Sequence, residues 1–362
     1  MNLCKQNILF IVRTMGLGGT EKVVLQLCNI LNKKVNKIVV CSTGGCLENE
    51  LNKIGVKHYK IKDISSKNPF SFISTYIALK RIILKEKITI VHSHHRMAAL
   101  FAELSSPKSI IKIANAHNTF FDKKFLTKFA YKNTVLIAVG EMVKNNLIDY
   151  FNIPSTRIHV IHNAVSPYID KCEKIESIYK EKLKGNIIIG NIGRLVPQKG
   201  MEYFIKAAEL VIKKHSNARF FIVGDGELKE NLHILIKNLH LEQYCFMLGY
   251  RNDVQNIMSQ CDFIVLSSLW EGLPLTPIES FSVSKTVVAT NVDGTPEIVI
   301  NNKNGLLVEP KNIEQLASRM CYLIENTTER KRYEINAKKT FDNFYSYNKM
   351  QEKYISFYEN LV

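Results

Sequence analysis

Glu271 and Glu279 flank a short loop, Trp270-Glu271-Gly272-Leu273-Pro274-Leu275-Thr276-Pro277-Ile278-Glu279, which follows an apolar run ending in Leu266-Ser267-Ser268. Carboxylates accept hydrogen bonds from hydroxyls, and a ribose or hexose diol is a natural partner for such a pair. The glycine and prolines predict a loop that turns into a helix. Glu271 is then in the loop and Glu279 one or two turns into the helix, both facing one site. Earlier, Gly193-Arg194-Leu195-Val196-Pro197-Gln198-Lys199-Gly200 puts an arginine and a lysine five residues apart at a helix start. A guanidinium fork and an ammonium point charge both suit phosphate oxygens. They would stabilise the charge that develops on a departing diphosphate. Taken alone, the two cations read as solvated loop residues.

Glycines mark two further turns. Gly16-Leu17-Gly18-Gly19-Thr20-Glu21 follows the first apolar run, and Val223-Gly224-Asp225-Gly226-Glu227 follows a later one. Gly18, Gly19 and Gly224 let backbone approach a ligand, and the next helix start offers N–H groups to phosphate. The spacing is not the Gly-x-Gly-x-x-Gly of dinucleotide binders, and a tight strand–helix turn explains the first run as well. Asp225 also stands where a helix cap would. His92, His94 and His95, and later His117 with Asn118, are expected just after strands, where an imidazole can reach a sugar hydroxyl or a phosphate. A zinc site would need a matching carboxylate cluster, which is not evident. No Asp-x-Asp occurs to hold a divalent metal on a diphosphate. The expectation is a site without metal.

Strand–helix alternation must position these residues. Apolar runs at 8–12, 38–41, 88–91, 110–114 and 135–139 each precede a helical stretch, and the pattern restarts with strands at 187–191, 220–224, 244–248, 263–266 and 286–289. This predicts an α/β fold with parallel sheets, whose ligands bind beyond the carboxyl ends of the strands. The polar segment 164–185 joins the halves. The expected domains are 1–165 and 166–362, with the tail beyond about 329 packing back on the first.

The 362 residues suit two domains. No run of 18 apolar residues is present, and the first apolar run reads as a strand rather than a signal peptide. Cys4, Cys28, Cys41, Cys46, Cys172, Cys245, Cys261 and Cys321 form no Cys-x-x-Cys pair, which suggests reduced thiols in a cytoplasmic protein. Residues 1–165 carry 24 Lys/Arg against 9 Asp/Glu, while 166–362 carry 25 against 24, so nearly all of the net charge of +16 lies in the first half. The candidate partners for that half are nucleic acid, an anionic membrane and a phosphorylated acceptor, against a plain solvated lysine surface. No RNA- or DNA-binding motif is present, so nucleic acid is not expected. Segment 120–133 (FFDKKFLTKFAYKN) mixes aromatics and lysines at helical spacing. It reads either as a basic amphipathic helix on anionic lipid or as a core-facing helix with lysines outward.

In order along the chain stand GGTE at 18–21, AHNT at 116–119, GRLVPQKG at 193–200, VGDGE at 223–227, EGLPLTPIE at 271–279, GTPEIV at 294–299 and NGLLVEP at 304–310. This set resembles the family 4 retaining glycosyltransferases, over nearly the whole length. The resemblance implies the GT-B fold, two Rossmann-like domains facing across a cleft, with the acceptor on the first domain and a nucleotide-sugar, UDP-linked by family habit, on the second. It implies that Arg194 and Lys199 hold the donor diphosphate, Glu279 the ribose and Glu271 the transferred sugar. Backbone from Gly272 through Leu273 and Pro274 to Leu275 approaches sugar and phosphate. Gly18 and Gly19 line the phosphate, His117 lies near the donor sugar, and Tyr250 and Arg251 lie by the base. The implied acceptor is a lipid-linked or other glycan of bacterial surface polysaccharide, met at the inner face of the plasma membrane. Neither cofactor nor covalent intermediate is implied. Ser284 and Thr286 depart from the family's Gly and Pro, so a local change of geometry is expected there. A nucleotide-sugar epimerase and a non-catalytic nucleotide-sugar-binding partner are the competing readings.

Overall fold

The computed structural model describes residues 2–16, 18–168 and 173–361. Leu17 of the first glycine run and Cys172 lie outside the described residues. The chain divides into two compact units, Met1–Asn163 with Asn348–Val362, and Ala164–Tyr347.

The first unit holds seven strands: β1 (Asn7–Val12), β2 (Lys37–Ser42), β3 (Lys57–Lys60), β4 (Ile90–His94), β5 (Ile111–Ala116), β6 (Val135–Ala138) and β7 (Ile158–Val160). They form one sheet in the order 3-2-1-4-5-6-7. All its pairs are parallel. The second unit holds β8 (Ile187–Ile192), β9 (Ala218–Val223), β10 (Cys245–Met247), β11 (Phe263–Leu266), β12 (Val287–Thr290) and β13 (Gly305–Val308). Its sheet runs 10-9-8-11-12-13 and is also parallel. The two sheets therefore share one winding. Their switch points, where the direction of winding reverses, lie between β1 and β4 and between β8 and β11, the crevices where ligands bind in such sheets.

Central strands such as β1 (NILFIV) and β8 are buried on both faces, which is why they read as continuous apolar runs. β3 (KHYK) has no such run, because it is an edge strand with half-exposed side chains. Beside it, Glu86 is 5% exposed. It accepts the Tyr59 hydroxyl, Lys57 Nζ at 2.9 Å and Lys37 Nζ at 2.9 Å. Tyr59 first, then the two lysines, hold its carboxyl down at about 2.

Two expectations are corrected here. β4 runs to His94, so His92 and His94 lie within the strand and not after it. The helix within 120–133 covers only Lys124–Ala130, because Lys123 takes a left-handed conformation (φ 48°) just before it. The described part of 164–185 also contains a helix, Glu176–Leu183. All seven described cysteines are free, and five of them are buried.

The last helix, Tyr347–Leu361, completes the first unit through its side chains. Burial pushes His92 down to about 3, so its ring is neutral. Nε2–H donates to Asn115 Oδ1 (2.7 Å), and Nδ1 accepts the Tyr358 hydroxyl (2.6 Å). Asn115 Nδ2 in turn donates to the Tyr354 hydroxyl at 2.7 Å. His92 is thus a satisfied core histidine.

Candidate functional site

In the second unit, the loops after β8, β9, β10, β11 and β12 are stitched into one rim. Gly193 and Leu195 donate backbone bonds to Val223 and Asp225, and Gly224 donates to Gly249 (each 2.9 Å). Gly224 (φ 146°) has its Cα face against the Gly193 carbonyl, where a Cβ would not fit. Its small size therefore serves loop-on-loop packing. Asp225 accepts from Gly226 N–H (2.9 Å) and lies 3.8 Å from Lys229. It does not cap the following helix, Lys229–Asn238, whose N-cap is Leu228. Arg251 is held in a two-toothed pair by Asp253 (both 2.8 Å), beside the exposed Tyr250.

Across the switch point the structure joins Lys199 to Glu271. Lys199 Nζ donates to Glu271 Oε1 at 2.6 Å, with the two side chains 14% and 7% exposed. The same oxygen accepts the Ser268 hydroxyl at 2.6 Å, and Glu271 N–H donates to Asp293 Oδ2 at 2.6 Å. Ser268 is braced by Thr290, whose hydroxyl donates to its carbonyl (2.6 Å). Gly200 turns the chain at φ 55° directly over the Ser267 carbonyl, so glycine is needed there. Leu269 N–H donates to Gln198 O (2.8 Å) and the Gln198 amide to Trp270 O (3.0 Å), which clamps the two loops together. Arg194 is different: it is exposed and, among the described residues, donates to the Gln198 amide oxygen at a long 3.4 Å.

Gly272, Leu273 and Pro274 are buried and lead into the helix Leu275–Ser282. Its N-cap is Pro274, no side chain caps it, and Pro277 sits in the first turn. Two of the four orphan positions at this helix start therefore carry no N–H, which leaves Leu275 and Thr276 as its donors toward an anion. Glu279 follows in the second turn, half-buried. Just past this helix, Ser284 takes φ 58°, the left-handed conformation that a glycine adopts most easily, and Thr286 is buried with its hydroxyl on Asn304 O (2.9 Å).

Sequence reading had passed over Ser268 and Asp293, which support Glu271 directly alongside Lys199. Asp293 immediately precedes the 294–299 motif and takes φ 42°. Gly294 N–H also donates to Gly272 O at 3.0 Å. That proximity to a motif was the available signal.

In the first unit, a cavity of about 180 Å³ opens at the switch point, lined by Arg13, Glu21, His94, His95, Arg96 and His117 among others. His117 directly follows β5, and burial brings it down to about 4. Gly18 and Gly19 are exposed and begin the helix Gly19–Leu31. The Glu21 carboxylate folds back on this helix start and accepts the Thr14 hydroxyl at 2.6 Å. Arg13 and Arg96 are paired with Asp63 (2.9 Å) and Asp122 (2.7 Å). Among the described residues, no three His, Cys, Asp or Glu side chains are grouped to hold a metal ion.

Residues 17–167 match the family described as Glycosyltransferase Family 4, and residues 173–340 that described as Glycosyl transferases group 1. An uncharacterized glycosyltransferase of Methanocaldococcus jannaschii is 31% identical over 305 residues, 80% of each chain. The UDP-Gal:alpha-D-GlcNAc-diphosphoundecaprenol alpha-1,3-galactosyltransferase of Escherichia coli is 28% identical over 333 residues, 86% of each. The crystal structure of a glycosyltransferase from Rickettsia africae superposes with a TM-score of 0.82 at 26% identity, covering 98% of both chains.

Proposed function

The chain belongs to the family 4 glycosyltransferases, and we propose that it moves a sugar, with retention of configuration, from a UDP-sugar to a lipid-linked glycan in the assembly of a bacterial surface polysaccharide. The observation that carries this reading is the Lys199–Glu271 pair at the β8/β11 switch point, with the loosely held Arg194 on the same rim. Arg194, Lys199 and the Leu275 and Thr276 N–H groups take the diphosphate, and Glu271 takes the transferred sugar. Arg194 and Lys199 stabilise the charge that the departing diphosphate gains. Gly272 to Leu275 shape the floor. Glu279 binds the ribose diol, and Arg251 and Asp225 lie toward the nucleoside. From the first unit, Gly18 and Gly19 face the phosphates and His117 the donor sugar. A departing phosphate oxygen takes the acceptor proton, so the reaction runs without metal or cofactor. The name of the Escherichia coli relative, with its UDP donor, diphosphoundecaprenol acceptor and alpha product, supports donor, acceptor class and stereochemistry.

The decisive assay incubates the protein with a panel of nucleotide-sugars, EDTA and a membrane lipid extract. Transfer from one donor with EDTA present is expected. An epimerised free nucleotide-sugar, or binding without turnover, overturns the reading in favour of an epimerase or a non-catalytic partner. Calorimetry with UDP isolates one role: Glu279→Ala is expected to weaken binding about 10-fold, the worth of a charged hydrogen bond. Unchanged affinity removes Glu279 from the ribose.

No described helix is long and apolar enough to cross a membrane. We place the enzyme as a peripheral protein on the cytoplasmic face, docked through its basic first unit. Two helices support this. Lys124–Ala130 exposes Phe125 (90%) and Phe129 between lysines, and Pro69–Lys85 exposes Phe70 (84%), Ile73, Ile77 and Leu84 beside Lys80 and Arg81. Both pack on one helix, Arg96–Ser105. Apolar side chains among cations suit the boundary of an anionic bilayer. Lys124→Glu with Lys128→Glu is expected to lower co-sedimentation with anionic vesicles several-fold, at about 1 kcal/mol per lysine. Unaltered sedimentation removes the helix Lys124–Ala130 from the docking surface.

A further inference from the structure

Most buried polar groups of the first unit are satisfied, and His94 is a clear exception. It ends β4 at 1% exposure. Its Nδ1 lies 3.1 Å from His117 Nε2, with the rings stacked 5.3 Å apart at 27°. Its own Nε2 is buried with no hydrogen-bond partner among the described residues. His92, two residues earlier and stacked on it at 4.7 Å, has both nitrogens paired. An apolar side chain at position 94 would avoid the unpaired nitrogen, so as a packing element His94 is a poor choice. What the imidazole supplies is a single directed bond to His117. We propose that His94 is a positioning residue, which fixes the ring plane of His117 and decides which of its nitrogens carries the proton.

The proton count follows from burial, which lowers both rings far enough that both are neutral at pH 7. One proton lies between the rings. If His117 donated it, His94 Nε2 would be a buried N–H with no acceptor, the rarer and less tolerated kind of orphan. If His94 Nδ1–H donates it, His94 Nε2 is only a bare acceptor. His117 then carries its proton on Nδ1 and presents an N–H. That is the form a donor-sugar oxygen needs, and it is the same logic by which the far nitrogen of a histidine sets the working one in metal sites. The inference rests on the reading of His117 as a contact of the donor sugar.

Four variants test it: His94→Leu, His94→Asn, His117→Ala and the double variant His94→Leu/His117→Ala, each measured for kcat, donor KM and Tm. His94→Leu is expected to lower kcat about 10- to 100-fold with donor KM unchanged, the range seen when an orienting partner is lost. Its Tm is expected to hold or rise, because an unpaired polar atom has left the core. His94→Asn, which keeps a hydrogen-bonding group toward His117, should recover part of the rate. The double variant should be no slower than His117→Ala, because His94 acts only through His117. A double variant slower by the full His94→Leu factor overturns the proposal, as does a kcat loss that follows a falling Tm and is not recovered by asparagine. Full activity in His94→Leu beside a slow His117→Ala also overturns it while leaving His117 in place. Full activity in His117→Ala removes the underlying reading instead.

Discussion

Glu271→Ala is expected to lower the rate of sugar transfer by roughly 10²–10³-fold, the effect of removing one preorganised polar group from a reacting centre. Glu271 is held from three sides: by Lys199 and Ser268 on Oε1, and by Asp293 through its own N–H. Such fixing is what makes a contact worth more in the transition state than in the ground state. The alanine variant also leaves the Lys199 ammonium, 14% exposed, without its carboxylate. A loss of stability approaching 3 kcal/mol should accompany it, the low end for breaking a buried pair. Glu271→Gln separates the two effects, because an amide oxygen still accepts from Ser268 and Lys199. Sugar transfer to a lipid acceptor, with Tm read in parallel, is the measurement. A glutamine variant at full rate would show that the charge is dispensable and that only the geometry matters.

Glu86→Gln should leave transfer intact and destabilise the fold by about 2–3 kcal/mol, read by urea denaturation at pH 7. The figure follows from a carboxyl whose value falls from 4.5 to about 2 on folding, at 1.36 kcal/mol for each unit, discounted for the partly exposed lysines. The sign is that of a depressed carboxylate. Its stabilisation is present in full above about pH 4.5 and is lost as the pH falls from there through about 2. The wild-type protein should therefore lose stability across that window, and Glu86→Gln should lose correspondingly less. Equal acid sensitivity in the two proteins would show that the Tyr59, Lys57 and Lys37 bonds do not set the titration.

The legibility of the chain followed burial. Strands whose both faces are covered, such as β1, β8 and β11, announce themselves as apolar runs, and the parallel α/β architecture follows from their alternation with helices. β3 and β7 did not, because KHYK at 57–60 and IHV at 158–160 belong to edge strands. His92 and His94 were set one element too late for a related reason: a buried polar residue in a strand looks like the start of a loop until its partners are known, and those of His92 lie 23 and 266 residues away. The site was legible in part. Spacing brought out Arg194, Lys199 and Glu271 but could not reveal that Lys199 and Glu271 bond directly, since 72 residues separate them. Ser268 and Asp293 are ordinary loop residues in type, and only their contacts single them out.

The first unit takes its last helix from residues 348–361, after 184 residues that belong wholly to the second. During synthesis, residues up to 163 leave the ribosome before the second unit, yet His92 and Asn115 must wait for Tyr358 and Tyr354, which come out after it. The second unit, continuous in sequence, can close while the first is still unfinished. The first unit is therefore the later one to reach its final form, because a chain without residues 348–361 still lacks the partners of two core polar groups.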